Sequence, residues 1–426
     1  MYLVKWSNIW SYTQQDYRSW PSEIEQQLQV VRICSNHHGK VLKLRFSNEY
    51  GQEDLVFKQV RICILTADKR SHGKTESEAR IVTVNGEEAI TLVPTANLIS
   101  DEVELEFYPR DIIEIETQIE SKTILRSGTV SYAKGGVEVF NYQLAGKEKI
   151  LIKQEDIFRM VKENNRMFYI YGISGVEILT ANRAETIVTF GDSLTQQGFW
   201  VEALKKRLLE AGMNEIAVLN RGIGGSRILK GQNPENDTYT RHGEAGLFRF
   251  EREVFLYGKV DAVICLHGIN DLISRHDGTN EYPYSLADIK NGLRQYARIA
   301  HHRGTPIIIG TLAPLGHSIF YSDKLEMERQ EMNRWIRRSE FFDGVIDFDR
   351  ALQKAEEEKI LEQAYDSGDG LHFSALGGAK IAEIIELSYV NSIIHTQKRR
   401  NKNEKDKKMV ISNNRSNNAS CNSNRL

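Results

Sequence analysis

Residues 186–198 read TIVTFGDSLTQQG, and a lone serine, Ser193, stands just past an apolar, β-branched run. In open α/β sheets ligands bind beyond the carboxyl ends of the strands, so a serine there is placed for nucleophilic chemistry. Ser and Asp are also favoured helix N-caps, and this stretch alone leaves both readings open. Three further segments bear on the choice. IAVLN runs into RGIGGSR, with Asn220, Gly222, Gly224 and Gly225; DAVICL runs into HGIND, with Gly268, Asn270 and Asp271; DSGDGLHFS carries Asp369, Gly370 and His372. A serine hydroxyl is a weak nucleophile until a base takes its proton, and His372 is the candidate base. Asp369 lies three residues earlier, so one turn can deliver both groups. Its carboxylate would hold the imidazole tautomer and favour the imidazolium that forms. A glycine lets substrate approach backbone N–H groups closely, which is what a developing oxyanion requires.

Two kinds of element must position these groups. In the first part of the chain KVLKLRF (40–46), EVELEF (102–107) and DIIEIETQI (111–119) alternate apolar and polar residues, the pattern of half-buried strands. Asn85-Gly86 between two such runs predicts a type I′ hairpin. Residues 25 to about 145 therefore read as an antiparallel β-sandwich, and 150–182 as a connection with a strand in RMFYIYGISGVEIL. From about 184, short apolar strands (186–190, 216–220, 261–266, 306–312, 344–348) alternate with helical patterns such as FWVEALKKRLLEAG and SLADIKNGLRQYARIAHHRG. Fully apolar strands joined by helices predict a parallel sheet covered on both faces. The boundaries expected are 1–180 for the β domain with its connecting segment, 181–395 for the α/β domain, and 396–426 for a disordered, basic tail rich in Asn, Lys, Arg and Ser.

FGDSL, NRGIGGS, HGIND and DGLH, in that order, resemble the four blocks of the SGNH (GDSL) hydrolase superfamily over about 184–392. The N-terminal β domain, ISGVEIL and GIGGSRIL also resemble a bacterial branch grouped with xylan-associated esterases. The resemblance implies a flavodoxin-like three-layer α/β/α domain and ester hydrolysis without metal or cofactor. It implies Ser193, His372 and Asp369 as catalytic groups, with an oxyanion hole of the Ser193 N–H, the Gly225 N–H and the Asn270 amide. Gly224 is the competing donor to Gly225. Asp192 and Asp271 read as supporting hydrogen-bonders. A β domain beside such a hydrolase points to a short-chain or carbohydrate ester, such as an O-acetyl group on a glycan. The alternatives are a lysophospholipase- or lipase-type acyl hydrolase, and a glycan-binding module with a vestigial site.

Composition narrows the rest. The chain has 426 residues, 40% hydrophobic and 27% charged, and its formal net charge of -2 favours neither nucleic acid nor anionic membrane. Cys34, Cys63, Cys265 and Cys421 form no CxxC pair, so neither a zinc site nor a disulfide framework is expected. GIGGSR has Arg227 where a dinucleotide fingerprint needs its third Gly, and no P-loop is present. The His pairs 37–38 and 301–302 read as surface residues, and His267 as a group satisfied locally. GLFRFEREV (246–254) reads as a helix that places Arg249 or Arg252 near the pocket or, in the preferred reading, in surface ion pairs. Trp6, Trp10 and Trp20 read as packing residues in preference to a sugar-stacking face. The insertion KGQNPENDTYTRHGE (230–244) is polar and suits a wall of the pocket. With no secretory signal and no apolar run of spanning length, a cytoplasmic protein acting on a small-molecule or oligosaccharide ester is expected.

Overall fold

The alternation in VELEF becomes the strand Val103–Phe107, with Val103, Leu105 and Phe107 buried and the two glutamates exposed. The structure, a computed structural model, describes residues 5–67, 74–132, 137–146, 148–153, 168–180, 184–232, 242–279 and 281–394. The expected tail at 396–426 lies outside the described residues. The N-terminal region is rich in antiparallel strands. A seven-stranded sheet centres on Gln27–Cys34, Ile112–Ile119 and Gln59–Ala67, and a five-stranded sheet on Gly39–Ser47 and Gly172–Thr180. Buried side chains of both, among them Val31, Ile113, Phe46, Leu44 and Val176, belong to one contiguous apolar core. The Asn85-Gly86 turn has φ of 53° and 82°, as a type I′ hairpin requires.

The segment 150–182 proves to be more than a connection. Gly172–Thr180 pairs antiparallel with both Lys5–Ser11 and Gly39–Ser47, so it is a central strand. Its Gly-Ile-Ser-Gly-Val start obscures the alternation, because every residue from Gly172 to Ile178 is buried. Trp10 is buried, whereas the half-buried Trp6 carries the Lys43 ammonium 4.4 Å from its ring centre.

The second region holds a five-stranded parallel sheet: β1 (Glu185–Gly191), β2 (Ile216–Gly222), β3 (Ala262–Leu266), β4 (Ile307–Gly310) and β5 (Gly344–Ile346). Its order is β2-β1-β3-β4-β5, the doubly wound order whose switch point lies between β1 and β3. β2, β3 and β4 are buried along their whole length, which explains their unbroken apolar runs. The helices used below are α1 (Ser193–Gln196), α2 (Phe199–Glu210), α3 (Gly246–Val254), α4 (Ile269–Arg275), α5 (Leu286–His302), α6 (Asp323–Arg338), α7 (Phe348–Leu352) and α8 (Ala375–Ile384). They pack in two groups, α2 and α7 against α8 and α3 to α6 among themselves. Among the described residues no helix is long and apolar enough to cross a membrane.

Candidate active site

Ser193 begins α1 directly after β1. Asp192 is the N-cap of that helix, and its side chain accepts the Leu194 N–H at 3.1 Å. The cap role that sequence offered for this stretch therefore falls to Asp192, which leaves the Ser193 hydroxyl free to face another partner. That partner is His372, whose Nε2 lies 2.9 Å from Ser193 Oγ. His372 Nδ1 lies 2.6 Å from Asp369 Oδ2, and Asp369 Oδ1 accepts the backbone N–H groups of Leu371 and His372 at 3.0 and 2.8 Å. The three side chains form one hydrogen-bonded line. The carboxylate contact places the Nδ1 proton towards Asp369 and leaves Nε2 to accept from the serine.

The loop that delivers His372 is fixed by its own sequence. Asp366 Oδ1 accepts from the N–H of Gly368 and Gly370, and Ser367 N–H donates to the His372 carbonyl at 2.9 Å. Phe373 is fully buried against Phe348, and Ser374 caps α8 by accepting the Gly377 N–H. Gly370 has φ of 72°, and a Cβ there would meet the His317–Ser318 backbone at 2.3 Å. Only glycine fits both constraints.

The glycine loop after β2 is held as tightly. Gly222 N–H donates to Asn220 Oδ1 at 2.9 Å, and Ile223 N–H to the Gly191 carbonyl at 3.1 Å. Gly224 N–H donates to Gln196 Oε1 at 2.6 Å, and Ser226 N–H to the Ile223 carbonyl at 3.1 Å. Among the described residues the Gly225 N–H has no acceptor, and neither has the Ser193 N–H. Of the two competing glycines, Gly224 is thus occupied and Gly225 is free. Asn270, near the start of α4, uses one amide hydrogen on the Ser226 carbonyl at 3.1 Å and keeps the other.

Two buried carboxyls support this floor. Asp192 is pushed up to about 7, first by burial, which outweighs the Leu194 N–H. Asp271 is pushed up to about 6, again by burial, against hydrogen bonds from Tyr282, Ile228 and Leu229. Asp369 behaves oppositely. Partial burial would raise it, but the His372 side chain and the His372 and Leu371 N–H groups outweigh this and hold it well below the usual carboxylate range. His267 is buried with Nδ1 3.1 Å from the Tyr296 hydroxyl, as expected of a locally satisfied group, and burial pushes it down to about 3.

Several sequence expectations need correction. Arg249 does not make a surface ion pair. It is fully buried and donates to the Gly191 and Arg221 carbonyls at 2.8 and 3.2 Å, to Ser226 Oγ at 3.1 Å and to Glu253 at 2.6 Å. It ties the ends of β1 and β2 to the glycine loop. Arg252 does pair at the surface, with Glu244. His37 is buried, not exposed, and desolvation lowers it to about 4, whereas His38, His301 and His302 are exposed. Sequence reasoning also passed over Gln196 and His242. A Cβ on Gly225 would fall 2.3 Å from the His242 ring, so the described end of the 230–244 insertion does stand over the glycine loop. The remainder, 233–241, lies outside the described residues. For Gln196 the only signal was its place three residues after Ser193, on the same side of one turn.

Residues 189–380 match the model of the GDSL-like Lipase/Acylhydrolase family. No curated protein gives a significant match. Among solved structures, a putative acylhydrolase from Bacteroides fragilis is 18% identical, covering 49% of this chain and 88% of its own, with a TM-score of 0.36. A GDSL-like lipase from Bacteroides thetaiotaomicron is 17% identical, covering 49% and 89%, with a TM-score of 0.37. A catalytic mutant of an acetylxylan esterase from Geobacillus stearothermophilus is 20% identical, covering 48% and 94%, with a TM-score of 0.39. Residues 189–380 of the chain thus form a GDSL-like lipase/acylhydrolase domain.

Proposed function

We propose that this hydrolase works through an acyl-enzyme on Ser193 and that its substrates are short-chain esters, above all O-acetyl esters of carbohydrate. The single observation that carries the mechanism is the line from Ser193 Oγ through His372 to Asp369, at 2.9 and 2.6 Å. His372 Nε2 takes the hydroxyl proton as Oγ attacks the ester carbonyl. The tetrahedral oxyanion is held by the N–H of Ser193, the N–H of Gly225 and the free amide hydrogen of Asn270. Collapse expels the alcohol, which takes its proton from His372. Water, deprotonated by the same nitrogen, then attacks the acyl-serine and releases the acid. Asp369, held ionised, orients the imidazole and stabilises the imidazolium in both halves.

The short-acyl reading is supported by the polar insertion and by His242 standing against Gly225, a wall suited to a small acyl group on a polar alcohol. A lipase-type enzyme would instead need a long apolar groove. The N-terminal region reads as a β-sandwich of jelly-roll type, with 1–180, 181–395 and 396–426 as the units of the chain. The test is a p-nitrophenyl ester series from acetate upwards, followed by acetate release from acetylated xylo-oligosaccharides, with Ser193→Ala as control. The expected result is highest kcat/KM on the shortest chains and a loss of several powers of ten in the variant. Preference for long chains favours the lipase-type reading. Equal inactivity of both proteins overturns the esterase mechanism in favour of a vestigial site.

A further inference from the structure

Gln196 is buried on the last position of α1, and both ends of its amide are engaged. Its Oε1 accepts the Gly224 N–H at 2.6 Å. Its Nε2 donates to Gln15 Oε1 and to the Val130 carbonyl, each at 3.0 Å. The orientation of the amide is forced by these partners, because an N–H needs an acceptor and a carbonyl needs a donor. Gln15 and Val130 belong to the neighbouring strands Gln15–Asp16 and Ser127–Ser131 of the N-terminal region. The Tyr17 hydroxyl also donates to Gln15 Oε1. One residue further on, the Gln197 carbonyl accepts the Tyr132 N–H at 3.1 Å and the Ser131 hydroxyl at 3.3 Å. The N-terminal strands thus grip the back of the helix that begins with the serine.

We infer that Gln196 is a positioning residue through which the N-terminal β region sets the oxyanion-binding glycine loop. This inference rests on the esterase reading above. The Gly224 N–H is tied down by one atom of a planar amide whose other end is anchored on two N-terminal acceptors. With Gly224 held, the next peptide presents the Gly225 N–H towards the space in front of Ser193. Asn220 performs the parallel task from the strand side, donating to the Thr195 carbonyl at 2.8 Å while accepting from Gly222. Remove the Gln196 amide and the half-buried Gly224 N–H loses its acceptor. The peptide is then free to turn, and the Gly225 donor moves off the oxyanion position. Misplacement of this kind by about 1 Å costs on the order of 100-fold in rate.

The test uses the full chain. Gln196→Met keeps the length and removes both hydrogen bonds. It is expected to lower kcat on p-nitrophenyl acetate by roughly 10-fold to 100-fold with little change in KM. Affinity for a trifluoromethyl ketone, whose adduct carries the oxyanion, should fall by the same factor. Gln196→Glu keeps an oxygen acceptor for the Gly224 N–H and should recover part of the loss. Gln15→Met, on the N-terminal side, should show the same split at smaller size. A Gln196→Met protein with wild-type kcat and ketone affinity overturns the inference. Should that variant not fold, Gln15→Met decides: a lowered kcat at constant KM supports the relay, and wild-type kinetics overturn it. A wild-type protein inert both to esters and to a serine-directed fluorophosphonate overturns the esterase reading instead.

Discussion

Two carboxyls flank the reacting groups, Asp192 one residue before the serine and Asp369 three before the histidine, and their surroundings drive them in opposite directions. Asp369 stays ionised, so it can favour the neutral Nδ1–H tautomer over the whole working range. Asp369→Asn should keep the fold and cost on the order of 10²- to 10⁴-fold in kcat, read from steady-state kinetics; a loss under about 5-fold would remove Asp369 from the mechanism. Asp192, at about 7 in the folded chain, binds a proton that the unfolded chain has released above about pH 4. Stability is therefore lost as pH rises from about 4 to 7. The buried His37 and His267, lowered to about 4 and 3, act with the opposite sign, losing stability as pH falls below about 6.5. These contributions overlap, so the wild-type curve alone does not isolate Asp192. Asp192→Asn retains the oxygen that caps α1 and removes the titration. Its melting temperature relative to wild type should become more favourable from pH 5 to pH 8, and an unchanging difference would contradict the assignment.

At the scale of elements, the sheet is fixed by a few buried polar side chains whose partners lie far away in sequence. Arg249 on α3 is the clearest case, because it serves the carbonyl of Gly191 at the end of β1 and that of Arg221 in β2. Arg249→Met would take the buried cation from the Glu253 carboxylate and one donor from each of those carbonyls, the Gly191 carbonyl keeping the Ile223 N–H. A loss of about 3–5 kcal/mol is expected in denaturant titrations, with the greater part of activity lost as the strand ends loosen. A change below 1 kcal/mol would mean that water replaces the guanidinium. The sequence announced the elements well for a physical reason. Period two in VELEF and unbroken apolar runs in AVICL are local consequences of how many faces are buried. The four loop motifs were equally legible, since their glycines and caps encode local turns. Arg249 was not, because RFERE gives the same i,i+4 charge pattern whether its Arg meets water or two carbonyls. Gly172–Thr180 was half hidden for a related reason: a strand covered on both faces carries no alternation.

For the molecule as a whole, the seam between the β region and the α/β region is built like an interior. Tyr12 forms a parallel bridge with Asn220 of β2, and its buried hydroxyl donates to Glu202 at 3.2 Å. The guanidinium of Arg221, itself 2% exposed, donates to Ser11 Oγ at 2.8 Å and to the Glu253 carbonyl at 3.1 Å. Asn36 donates to the Lys205 carbonyl at 3.0 Å, and the Ala184 N–H to Ser7 Oγ at 3.1 Å. Interfaces between independent domains are more polar and wetter, and they leave relative motion as the default. Here, separation would strip donors and acceptors from both sides at once. The two regions should therefore unfold together. Differential scanning calorimetry of the intact chain should give one transition whose van't Hoff and calorimetric enthalpies agree. Tyr12→Phe, which removes one seam hydrogen bond, should lower stability by about 1 kcal/mol without splitting that transition. Two resolved transitions, with only the later one tracking esterase activity, would show that the β region is a passenger and that the seam contacts do not hold the catalytic loops in place.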